Sequence, residues 1–96
     1  KDLIQGNTEK RNSANSNVLF PNPAQNKATL SIALKENSGV TVNVYNIIGR
    51  LVKSVKAEGQ QGENYINIDL NNLSSGIYMV SVKVGDAAST KKLIIQ

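Results

Sequence analysis

Chemistry in a protein starts from nucleophiles, acids, bases and metal ligands, and this 96-residue sequence supplies few of them. It contains neither cysteine nor histidine. Thiol nucleophiles, disulfides, zinc sites built on those ligands and imidazole acid–base catalysis are therefore excluded. The carboxylates are Asp2, Glu9, Glu36, Glu58, Glu63, Asp69 and Asp86. An acid–base pair needs two of them converging on one substrate. Glu58 and Glu63 share a loop and come nearest to that, but solvated loop acids account for both more simply. The D-x-D-x-D-G spacing of a calcium loop does not occur, and the serines have no imidazole to activate them. Asn72-Leu73-Ser74 fits a glycosylation acceptor, a three-residue pattern frequent by chance. No enzyme, no metal site and no cofactor is expected.

The eleven lysines and arginines give a net charge of +4. Lys27, Lys35, Arg50, Lys53, Lys56, Lys83, Lys91 and Lys92 are scattered over alternating positions and strand ends rather than clustered. Lysine on an exposed strand also discourages edge-to-edge pairing. The four aromatics, Phe20, Tyr45, Tyr65 and Tyr78, form no stacking platform, so neither a nucleic acid nor a small-molecule substrate is expected. No apolar run approaches the roughly 18 residues of a membrane-spanning helix. "KDLIQGNTEK" lacks the apolar stretch of a signal peptide. With no initiator methionine, the sequence reads as part of something longer.

The positions of these groups depend on strands. Residues 1–17 are polar, aperiodic and rich in Asn and Ser, the composition of a linker or the end of a preceding region. From Val18 onward, short alternating segments follow: 18–20, 27–35, 40–46, 50–57, 65–70, 77–84 and 90–96. Leu30, Ile32 and Leu34 share one face, as do Val40, Val42 and Val44, then Ile66, Ile68 and Leu70, then Tyr78, Val80, Val82 and Val84. The segment at 50–57 alternates less cleanly, the mark of an edge strand or a bulge. About seven strands at 8–12-residue spacing, with no amphipathic helix, predict an all-β, immunoglobulin-like antiparallel sandwich over residues 18–96.

Three local features stand out. Pro21 and Pro23 lack N–H groups and bias Phe20 and Asn22 toward extended backbone, a stiff strut expected to aim the chain from one sheet to the other. "NIIG" has Asn46 and Gly49 at the first and fourth positions of a type I turn, which leaves Ile47 and Ile48 at its centre. The burial preference of isoleucine predicts that this pair folds back to plug the sandwich. Otherwise the two stand out as an apolar contact patch. The last strand carries Leu93, Ile94 and Ile95 to its end, candidate partner contacts alongside Ile47 and Ile48.

Taken together, "LFPNPAQNKATLSI", "VNVYNIIGRLV" and "LSSGIYMVSVKVGDAASTKKLIIQ" resemble the type A C-terminal sorting domain of type IX secretion cargo proteins. The resemblance covers about residues 18–96 and carries that family's motif positions onto Pro21, Asn22 and Pro23, then Tyr45, Asn46, Gly49 and Arg50, then Leu73, Gly76, Tyr78 and Lys92. It implies an immunoglobulin-like domain at the end of an exported protein of Bacteroidota that directs folded cargo from the periplasm through an outer-membrane translocon. It also implies a β-barrel shuttle as receptor, and a sortase-like surface peptidase that removes the domain upstream of the sandwich. The cargo is then joined to an anionic lipopolysaccharide or released. These residues are read as signal or scaffold, none as catalytic.

Two other readings compete. One is a fibronectin-III-like or carbohydrate-accessory module of an extracellular enzyme, which rests on fold analogy and has only four aromatics to work with. The other is a structural spacer or adhesin repeat, for which a tandem copy would be the sign.

Overall fold

The computed structural model describes residues 17–96. The linker expected over 1–17 lies, apart from Asn17, outside the described residues. Seven strands follow in order: β1 (Asn17–Phe20), β2 (Lys27–Leu34), β3 (Ser38–Tyr45), β4 (Leu51–Gly59), β5 (Gly62–Asp69), β6 (Gly76–Val84) and β7 (Ala87–Ile95). They form two antiparallel sheets, a three-stranded one ordered β1-β2-β5 and a four-stranded one ordered β4-β3-β6-β7. The fold is the all-β sandwich that the alternation predicts.

The core lies between the sheets because every second residue of each strand points inward. Leu30, Ile32 and Ile68 from one sheet face Val42, Val44, Val80 and Leu93 from the other, all fully or nearly fully buried. Each such side chain contributes about 1.5–3 kcal/mol of transfer free energy. The aliphatic face read for β6 holds, with Tyr78, Val80 and Val82 buried and Val84 packed against the core. The irregular segment at 50–57 is an edge strand, and its register with β3 shifts between Val44 and Tyr45.

Two segments expected to be loops are largely strand. β4 runs on to Gly59 and β5 starts at Gly62, so only Gln60 and Gln61 cross between the sheets. Gly59 is buried there, and a Cβ on it would collide with the Leu34 side chain. β7 starts at Ala87 rather than Thr90, because Gly85 at φ +57° lets a two-residue hairpin close Val84 directly onto Ala87.

The proline strut behaves differently from its expectation. β1 and β2 are neighbours in the same sheet, with Phe20 opposite Thr29. The chain does not change sheets at Pro21–Pro23. It leaves the three-stranded sheet, runs past the outer edge of β7, where Ala24 bridges Ile95, and returns to the sheet it left. Both X–Pro bonds, Phe20–Pro21 and Asn22–Pro23, are cis.

Candidate functional site

The connections at the two ends of the sandwich differ. At one end they span residues 35–37, 60–61 and 85–86, two or three residues each. At the other they span 21–26, 46–50 and 70–75, five or six each. Every position the family resemblance marks falls on these longer connections or on the strand ends beside them.

Asn22 lies against β7. Its side-chain Nδ2 donates to the Lys92 carbonyl (2.8 Å), and its Oδ1 accepts the Ile94 N–H (3.0 Å). Pro21 and Pro23 flank it, exposed. The neighbouring connection is tied in by the Leu70 N–H, which donates to the Asn26 carbonyl at 2.9 Å.

Asn46 organises the turn after β3. The Gly49 N–H donates to the Asn46 carbonyl (2.9 Å), the bond expected of the turn, and the Asn46 N–H donates to the Arg50 carbonyl (2.9 Å). The Asn46 Oδ1 also accepts the N–H groups of Ile48 (3.1 Å) and Arg50 (2.9 Å). Gly49 sits at φ +87°, a conformation that an L side chain strains to adopt. Closed by its own backbone and the Asn46 amide, the turn points its apolar pair outward. Ile47 is 78% and Ile48 76% exposed, so they do not plug the sandwich. The burial preference of isoleucine yields here to local hydrogen bonding.

The third motif braces the turn before β6. The Tyr78 ring is buried, and its hydroxyl donates to the Ser74 carbonyl at 2.7 Å. The Leu73 N–H donates to the Leu70 carbonyl, and its half-buried side chain packs on the core. Between this turn and the Asn46 turn lies an open groove of about 670 Å³, lined mainly by Ile47, Ile48, Val52, Leu73, Ile77 and Tyr78.

The outer face of the four-stranded sheet continues this apolar surface. Register places Leu51, Tyr45, Met79 and Lys92 in one row across β4, β3, β6 and β7, with Ile77 beside Ile94 in the next. Leu51, Ile77 and Met79 are exposed, while Tyr45 and Ile94 are half-buried. Leu93 and Ile95 are correspondingly turned inward, fully or nearly buried. The expectation that they touch a partner is therefore withdrawn, since alternation leaves only Ile94 of the three on the outer face. Sequence reasoning overlooked Leu51, Ile77 and Met79. The apolar residues on both faces of "IYMV" were the available signal.

Among the described residues no cluster of carboxylates could hold a metal ion. The aromatics form no row: Phe20 and Tyr65 are on opposite edges of the three-stranded sheet, Tyr45 is on the other sheet and Tyr78 is inside.

The family model for the secretion system C-terminal sorting domain matches residues 18–96. The chain belongs to that family. The domain is a type IX secretion sorting signal, and the family is in general non-catalytic. Among solved structures, the chain is similar to part of dimeric latent PorU from Porphyromonas gingivalis, at 27% identity and a TM-score of 0.64. That similarity covers 82% of this chain and 9% of the PorU chain. No curated protein matches. A sorting signal of this kind works with the type IX machinery and directs export to the cell surface or the medium.

Proposed function

We propose that the end carrying the long connections is the surface by which the export machinery reads this domain. One observation carries the reading: three motifs far apart in sequence meet at one end, beside a groove and an exposed apolar sheet face. Contiguous exposed apolar surface of this kind marks a protein-interaction site. The division of labour is clear within it. Asn22, Asn46, Gly49 and Tyr78 shape the surface through bonds inside the domain. Ile47, Ile48, Ile77, Met79 and Leu51 form the contact, with Arg50 and Lys92 at its rim. The domain performs no catalysis. Folded cargo precedes it, passes through the periplasm with it, and leaves through the outer-membrane translocon after a β-barrel shuttle binds this end. A sortase-like surface peptidase then cuts upstream of the sandwich.

The test is a fusion of a Sec signal, a folded fluorescent reporter and residues 1–96, in a host with an intact type IX system and in a translocon-null strain. Surface reporter in the intact strain alone is the expected result. Equal periplasmic retention in both strains, with the domain folded, would overturn the reading.

A further inference from the structure

A nine-residue edge strand ending in Leu93-Ile94-Ile95 is a strong candidate for unwanted pairing, because its outer N–H and C=O groups offer a template to any other strand. Two of the other three edges are blunted by ordinary means. β1 has four residues, and β4 carries a register shift together with Lys53 and Lys56. β7 is handled differently. Along its outer edge the Lys92 carbonyl receives Asn22 Nδ2 (2.8 Å) and the Ile94 N–H reaches Asn22 Oδ1 (3.0 Å). The Ile94 carbonyl receives the Ala24 N–H (2.8 Å), and the Gln96 N–H reaches the Ala24 carbonyl (2.8 Å). Four successive edge groups are thus satisfied, two by a side chain and two by backbone.

An Asn side chain carries the same donor and acceptor as a peptide unit. It is needed here because Pro21 and Pro23 have no N–H to give. Residues 22–24 therefore form a short substitute strand laid on the half of β7 richest in β-prone residues. We infer that this segment is an edge guard, and that the surface beneath it is a strand-acceptor site that would otherwise take β7 of a second copy of this chain. Antiparallel β7–β7 pairing across a two-fold axis is self-complementary, so it needs no further partner. The inference does not depend on the export reading.

The test compares the 96-residue chain with Asn22→Leu, which keeps side-chain bulk and loses both bonds. Sedimentation velocity is expected to show a monomer for the native chain, and dimerisation strengthened roughly tenfold or more in the variant. Amide hydrogen exchange assigns the interface. In the variant, the Ile94 and Gln96 amides should exchange quickly when dilute and regain protection as the dimer forms. Asn22→Asp, which can still accept from Ile94 but cannot donate to Lys92, should fall between the two and serves if Asn22→Leu does not fold. Native exchange provides a check that needs no variant: unprotected Ile94 and Gln96 amides would overturn the guard. So would a native chain that dimerises as strongly as the variants, a variant that stays monomeric with those amides open, or a dimer that leaves them unprotected.

Discussion

The two ends of the sandwich share strands, core and side-chain-to-backbone clamps but differ in loop length, charge and apolar exposure. At the short-loop end, chain reversals take two or three residues, and four carboxylates (Glu36, Glu58, Glu63 and Asp86) lie in or beside them. At the long-loop end, reversals take five or six residues and carry side-chain-to-backbone clamps. There Lys27, Arg50, Lys53 and Lys92 accompany one acid, Asp69, and isoleucines face solvent. Long ordered loops on a rigid scaffold are where binding concentrates, and here they are held by the residues that a motif search would find. In the reading proposed above, the motif residues build the contact surface, while apolar residues at the unspecified positions between them form it.

Placing charge on the apolar pair should split the two ends most sharply. Ile47→Asp with Ile48→Asp is expected to lower surface display of the reporter fusion roughly tenfold or more, as loss of an apolar anchor does. Its melting temperature should hold, because both side chains are exposed. Glu36→Lys with Asp86→Lys, at the other end, should leave display unchanged. An equal loss from both pairs would dissolve the distinction.

Next in size, Asn46→Ala removes the acceptor for the Ile48 and Arg50 N–H groups. It should cost about 1–3 kcal/mol in urea unfolding and reduce display with Ile47 and Ile48 still present. Tyr78→Phe deletes one hydrogen bond to the Ser74 carbonyl and should cost about 0.5–1.5 kcal/mol, with the groove loosened as seen by amide exchange across residues 73–77. The smallest effect on export belongs to Gly85→Ala at the short-loop end. The φ of +57° makes it cost about 1 kcal/mol of stability, and display should stay at the native level.

The parts of this architecture legible in the sequence are those written in local periodicity. The inward faces of β2, β3, β5 and β6 follow from alternation, and the weak alternation of 50–57 announced the β4 edge. The Asn46-to-Gly49 turn was legible because its closing bond is local. What escaped depends on groups far apart in the chain. Nothing near Pro21 shows that the segment returns to its own sheet, since its partners are Lys92, Ile94 and Gln96. Ala24 reads as a loop residue, yet it is fully buried against β7. Ile47 and Ile48 were read by composition, whereas their exposure is set by the Asn46 amide.

The Asn22 clamp also bears on the order of folding. Its bonds join residues 70 and 72 positions apart, so closing them costs more chain entropy than closing any hairpin. Contacts of such separation slow folding and are rewarded only once the intervening strands are paired. The clamp therefore belongs to the final stage of assembly, with φ-values near zero expected at Asn22 against higher values in the β6–β7 hairpin. In this conformation, residues 21–24 exist only on a sandwich whose last strand is already seated. A receptor that contacts them is checking that folding has finished.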